Sequence, residues 1–190
     1  MNRSSCSLIA LGLVLFACGS SSDSSTTGHS GGASSCDQSC RDNEVGYAID
    51  NTMWLLWNEN LAGVPSGSQD KTAACPLGGT VHVTGTTGVA SNGINTLHLV
   101  LDLQNCGSSS TYFSLAFTGQ LSWDGSFGGT SGNAVTFQSS SLQVSGTVKR
   151  YDQPSVNETC AVSLTDTYDK NSTSQIDWLA GEICGRPVLQ

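Results

Sequence analysis

The chain is poor in positive charge. Its 190 residues carry 7 lysines and arginines against 15 aspartates and glutamates, a formal net charge of −8. That balance excludes nucleic-acid binding through backbone electrostatics, and it sets the protein against anionic lipid headgroups. A long apolar run is missing too. The stretch Leu8 to Ala17 is ten residues, about half of the roughly 20 that a membrane-spanning helix needs. Absent as well are a Gly-x-Ser-x-Gly elbow, a P-loop, a dinucleotide fingerprint, a His-Glu-x-x-His pair and an EF-hand loop. Each absence removes one readable route to chemistry, and no catalytic residue, cofactor or metal is expected.

What is present begins with the N-terminus, MNRSSCSLIALGLVLFACGSSSDSS. Arg3 followed by the short apolar run has the form of a cleaved export signal. The end of that run, Leu15-Phe16-Ala17-Cys18, resembles the lipobox of bacterial lipoproteins. The resemblance implies cleavage before Cys18, acylation of its thiol and a location in the cell envelope. Gly19 and Ser20 follow the cysteine, where an aspartate in that family tends to mean inner-membrane retention, so the resemblance implies the outer membrane. Several acyl chains on one cysteine meet the need for more than one anchoring signal. The serine- and glycine-rich stretch up to Ser35 has the composition of a flexible tether. The expected division is therefore 1–17 signal peptide, 18–35 lipidated cysteine plus tether, and 36–190 a single domain.

Of the 8 cysteines, Cys6 leaves with the signal and Cys18 takes the lipid. Cys36, Cys40, Cys75, Cys106, Cys160 and Cys184 remain, and an even number in an exported chain reads as a disulfide framework. Cys36-x-x-x-Cys40 has no second close pair to complete a zinc site.

Past Cys36 one helical period is clear. Val45, Ala48, Ile49, Thr52, Met53, Leu56, Trp57 and Leu61 recur every three or four residues. Ser35 and Gln38 form a capping box in prospect, and Gly63 with Pro65 marks the stop. A second stripe, Cys40, Tyr47 and Trp54, lies well round the cylinder, so the helix has more than one apolar side.

After Cys75 the period becomes two. Val81 and Val83, Leu97 to Leu103, Phe113 to Trp123, Val135 to Val148, Val162 with Leu164, and Ile176 to Ile183 each alternate with polar residues. A parity slip at Ser139–Ser141 predicts a bulge. Short turn signals between these runs favour an antiparallel meander. The expected class is α+β: one N-terminal amphipathic helix packed on a strongly coiled sheet of about six strands, stapled by disulfides.

Four strands repeat an apolar-small-Gly-x frame, at Gly85, Gly119, Gly146 and Gly181, each glycine on the apolar parity. Strand glycine is disfavoured, so the row predicts a bent sheet with a glycine trough in which the helix segment Met53–Leu61 docks. The meander also brings Cys75, Cys106, Cys160 and Cys184 to one rim. From this a Cys106–Cys160 bridge is expected, with Cys36 and Cys40 stapling the helix to Cys75 and Cys184.

Other chemistry-bearing residues carry less. Ser68-x-x-Lys71 has the spacing of penicillin-recognising enzymes without their further motifs. His82 and His98 fall on the polar face of one hairpin; a two-residue diagonal would place them about 7–8 Å apart, with Asp102 beyond reach of His98. Asp169-x-Asn171-x-Thr173 alternates oxygen ligands without the glycine or final glutamate of a calcium loop. Asp124, Glu158, Asp166 and Glu182 are acidic, but no spacing pairs them for glycoside hydrolysis. The expected protein is a monomeric, non-catalytic envelope module that meets the membrane through its lipid and acts on an envelope protein or small ligand. Its alternatives are a carrier of small apolar or sugar ligands in a β-cup, and a hydrolase without a readable motif.

Overall fold

The computed structural model describes residues 36–128, 133–149, 155–168 and 178–189. Cys18, the signal peptide, the tether, Ser35 and the Asp169–Thr173 loop lie outside these residues. Helix α1 spans Gln38–Leu56. Its cap is Asp37, whose carboxylate accepts from the Cys40 backbone N–H at 2.9 Å, satisfying one of the orphan donors of the first turn. The helix precedes the strands but is not N-terminal in the chain.

The helix ends through a π-helical turn, Trp57–Leu61, in which the Ala62 N–H bonds the Trp57 carbonyl at 2.7 Å. An i→i+5 bond inserts one extra residue into the turn. That insertion brings Leu61 back beneath the buried stripe, where it is 1% exposed. Ala62 is then extended, and Gly63 at φ +76° turns the chain away, as the sequence predicts.

Among the described residues the sheet has eight antiparallel strands in sequence order, not about six. They are β1 (Gly67–Ala74), β2 (Thr80–Val89), β3 (Asn95–Ser109), β4 (Phe113–Phe127), β5 (Asn133–Val148), β6 (Ser155–Tyr168), β7 (Trp178–Ile183) and β8 (Arg186–Leu189). The two additional strands, β1 and β8, are the edges. An edge strand has one neighbour and little to bury. In β1 only Gln69 is buried and in β8 only Val188, so neither carries an alternating pattern.

One face of the sheet is apolar and buried; the other presents serine, threonine, glutamine and histidine. The bulge predicted at Ser139–Ser141 is present, as a register shift between Ser139 and Leu142 against β6. A second shift lies in β3 between Leu103 and Cys106, where Asn105 has φ 54°.

The glycine row has a different cause from the one expected. A Cβ on Gly146 would lie 2.2 Å from the Ser114 carbonyl oxygen, and those on Gly85 and Gly181 would each lie 2.1 Å from the oxygens of His98 and Ser163. At Gly119 the nearest atom is the Ser141 oxygen at 3.1 Å. All of these neighbours belong to the adjacent strand, none to the helix. The four glycines have φ between +122° and +142°, a region closed to L side chains. Helix docking uses the reverse arrangement. Gly46 of α1 faces the sheet, and a Cβ there would meet Val188 Cγ1 at 3.0 Å and Leu179 Cδ2 at 3.3 Å.

Among the described residues the disulfides are Cys36–Cys40, Cys75–Cys106 and Cys160–Cys184. The register does place Cys75, Cys106, Cys160 and Cys184 near one rim, but each pairs with a near neighbour rather than across the sheet. Strand β3 overhangs the β1–β2 hairpin, and the Gly107 N–H bonds the Gly78 carbonyl at 2.8 Å. That overhang carries Cys106 past the turn that holds Cys75. Cys160 of β6 faces the β7–β8 turn directly. Cys36 bridges the first turn of its own helix, because Cys40 lies one turn away.

Candidate functional site

The stapled rim carries the densest charge cluster of the described residues. Asp42, on the buried side of α1, accepts from Arg186 Nε at 2.7 Å and Nη2 at 3.0 Å. Arg186 Nη2 also donates to Glu158 Oε2 at 2.7 Å, and Arg41 stands 3.6 Å from the other Glu158 oxygen. The hydrogen bond that Arg186 donates to Asp42, then the one it donates to Glu158, holds its guanidinium above the usual arginine range. A cation raised in this way contributes stability that is complete below its unfolded pKa and is lost only as pH climbs through its folded value. At neutral pH the contribution is therefore whole. The cluster is a brace from helix to β6 and β8. The cavity beside it is about 10 Å³, room for one water at most.

Glu158 Oε, Cys160 Sγ and Cys184 Sγ lie within 4.8 Å of one another, the spacing of a metal site. The two sulfurs are bonded to each other, which leaves no thiolate to ligate.

The histidines are on the polar face but do not converge. His82 pairs in register with Asp102, and His98 with Thr86, so the offset along the hairpin is four residues rather than two, about 13 Å. His82 Nε2 meets Asp70 at 2.9 Å and His98 Nδ1 meets Asp124 at 3.1 Å. These are separate cross-strand pairs. Asp102 lies four residues from His98 along β3, beyond its reach as expected, and is the residue opposite His82.

Ser68 and Lys71 lie on strand β1 rather than at a helix start, and Lys71 Nζ donates to the Asn60 carbonyl. The acidic candidates scatter. Asp124 is on the outer face, Glu158 is in the brace and Glu182 is exposed on β7. Asp166 is buried and accepts from the Trp54 indole at 3.2 Å.

A cleft of about 290 Å³ opens between α1 and the β3–β4 turn, lined by Glu44, Tyr47, Ser110, Thr111 and Tyr112. Glu44 and Tyr47 are one helical turn apart and share a helix face. Glu44 is buried, whereas Tyr47 is 47% and Tyr112 50% exposed. The Tyr47 ring stands edge-to-face against Phe113 at 6.1 Å. The opposite wall is fixed by its own turn: Ser110 N–H bonds the Phe113 carbonyl at 2.9 Å, and Tyr112 N–H bonds Ser110 Oγ at 3.0 Å. A shallower groove at the β5 bulge, between Gln138–Ser140 and Ala161–Ser163, has no aromatic or charged side chain. The tyrosine cleft, unlike that groove, is lined by two aromatic rings and a carboxylate. Sequence reading placed Tyr47 on a secondary helix stripe and passed over Tyr112. The available signal was a Thr-Tyr pair in a hairpin turn, where an aromatic has no core to enter.

No protein-family model matches the chain, and neither a curated protein nor a solved structure is found to be similar to it.

Proposed function

We propose that this protein is a lipid-anchored binding module of the bacterial cell envelope, working by contact at its surface. In this reading Cys18 carries the acyl chains, residues 18–35 are the tether, and the sheet coils strongly round its helix. The observation that carries it is the occupation of the sheet's apolar face. Met53, Leu56 and Leu61 of the helix and its π turn are at most 1% exposed. Trp54 and Trp57 meet Phe127 edge-to-face at 4.8 and 4.7 Å. A cup for a small ligand needs that face open; here helix side chains fill it. The junction with the tether supports the same reading, because the Cys36–Cys40 bridge and the Arg186 brace both lie where the chain enters the domain.

The test is metabolic labelling with radioactive palmitate in a bacterial host, comparing the full chain with Cys18→Ser. Label in the outer-membrane fraction that disappears with the substitution is the expected result. An unlabelled chain, or label that persists in Cys18→Ser, overturns the anchor.

A further inference from the structure

The two ends of the sheet differ in charge. Three of the four described lysines and arginines, Arg41, Lys149 and Arg186, stand at the end where the helix begins. Asp37, Asp42, Glu44 and Glu158 nearly balance them there. Lys71 is the one cation among the other described residues, while Glu59, Asp124 and Asp166 lie toward the π turn. A chain of net charge −8 therefore meets a phospholipid surface with least repulsion at its helix-start end. That end also exposes apolar groups where turns leave them no core to enter. Leu77 of the β1–β2 turn and Tyr112 of the β3–β4 turn are each 50% exposed. A phospholipid interface takes leucine at the acyl boundary and holds tyrosine rings at headgroup level. Lys149 is exposed, and its backbone N–H bonds the Tyr112 carbonyl, which sets a cation for lipid phosphate beside the ring.

Reach points the same way. In the lipid-anchored reading, residues 18–35 hold the domain to the bilayer. A serine- and glycine-rich stretch of 18 residues has a root-mean-square reach of about 20–25 Å. Strands of 15 and 16 residues are about 50 Å long. The chain enters the domain at Cys36, beside the helix start. The near end is thus kept at high effective concentration against the lipid, where a weak contact suffices. The far end exposes Val89 and Trp178, but it is the acidic end and lies away from the tether. We infer that the helix-start end seats on a zwitterionic phospholipid surface, with Leu77 and Tyr112 as its interfacial groups and Lys149 as its phosphate contact. The inference rests on the lipid-anchored reading above and deepens it by naming the end of the domain that faces the membrane.

The experiment is fluorescence quenching of the full chain in vesicles of phosphatidylcholine and phosphatidylethanolamine with brominated acyl chains. Bromine quenches an indole that reaches the lipid. The 4 native tryptophans, Trp54, Trp57, Trp123 and Trp178, all lie toward the π-turn end, so the wild-type chain is a dark background for the test. Tyr112→Trp adds an indole at the seat, and Val89→Trp adds one at the far end. Brominated lipid is expected to remove most of the emission that Tyr112→Trp adds, and to leave wild type and Val89→Trp unchanged. Leu77→Asp, placed in the Tyr112→Trp chain, restores that emission. All three positions are half exposed or more, and thermal unfolding checks that each variant folds. Lys149→Glu, at an exposed residue, gives the same restoration and replaces Leu77→Asp if the latter lowers the unfolding midpoint. Quenching of Tyr112→Trp no greater than that of wild type, quenching of Val89→Trp in its place, or quenching indifferent to both charge changes overturns the seat. The two readings fail separately. A chain that takes palmitate at Cys18 and floats with the vesicles, yet leaves Tyr112→Trp bright, sinks the seat alone. One that is quenched through Tyr112→Trp without palmitate sinks the anchor alone, and one that does neither sinks both.

Discussion

The two rims of the sheet are held by different physics. At one rim, where the helix begins, lie all three disulfides and the Asp42–Arg186–Glu158 brace. At the other, where the helix ends in its π turn, the described residues hold no covalent cross-link. There the core is a cluster of rings: Trp123 sits 5.7 Å from Trp54, 6.3 Å from Trp57 and 5.9 Å from Phe137. The difference follows from strand length. The strands β7 and β8, of 6 and 4 residues, bury too little to hold themselves, and the β1–β2 turn hangs on the overhang of β3. Bridges and ion pairs supply there what packing does not. Toward the far rim, long strands of 15 and 16 residues supply paired apolar rows, and aromatic volume fills the space between them and the helix.

The comparison breaks first at Trp123. Its side chain is fully buried, and its indole N–H meets no hydrogen-bond acceptor among the described residues. It is held by shape and by ring contacts, edge-to-face with Trp54 and Trp57 and tilted with Phe137. Trp123→Ala is expected to cost about 3–5 kcal/mol, read as a fall in the denaturant midpoint. Adding reductant should lower the midpoints of wild type and variant by the same amount, since the two rims share no residue. Loss of cooperativity in the variant, with the stapled rim unfolding later, would show the rims to be separate units rather than one core.

Next comes the covalent side. The Cys75–Cys106 bridge closes a separation of 31 residues, and both cysteines are buried. Replacing the pair with alanines should cost about 3.5 kcal/mol, on the loop-entropy account. The expected local consequence is faster amide exchange in the Cys75–Gly79 turn and the Asn105–Ser109 overhang, with the Trp54–Trp123 region still protected. Equal loss of protection at both rims would erase the distinction.

How much of this was legible in the sequence divides along the same line. The ring-filled side was readable, because its information is periodic: the Val45–Leu61 spacing gave the helix, Gly63 its stop, and alternation gave the six inner strands. The slip at Ser139–Ser141 was visible as a change of parity. The matching slip between Leu103 and Cys106 was hidden, since Cys106 reads as a bridge before it reads as core. The stapled side was legible only in part. Convergence of cysteines on one rim followed from strand alternation, but their pairing depends on how far β3 outruns the β1–β2 hairpin, and periodicity carries no overhang. The glycine frame marked four positions where the strands adopt positive φ. It could not say what approaches each glycine, and the answer is the next strand's carbonyl, not the helix. The tyrosine cleft was least legible, because it joins a helix face to a turn more than 60 residues away.

The smallest test weighs the brace. Arg186 is about a third exposed, whereas the Asp42 side chain is 4% exposed. Removing the arginine therefore harms the molecule mostly through what it leaves behind, a buried carboxylate deprived of its bidentate partner. Arg186→Met keeps much of the aliphatic stem and is expected to cost about 2 kcal/mol, below the usual cost of breaking a fully buried pair because one partner reaches solvent. Adding Asp42→Asn removes the stranded charge and keeps the side chain's shape, so the double variant should be more stable than Arg186→Met alone. The sign of that difference separates two accounts of the rim. Recovery means the brace exists to neutralise Asp42, with the disulfides doing the holding. Further loss means that the Gln38 amide, which donates to Asp42 Oδ1 at 2.8 Å, depends on the full carboxylate, and that hydrogen bonding at the helix start holds this rim alongside the sulfur bridges.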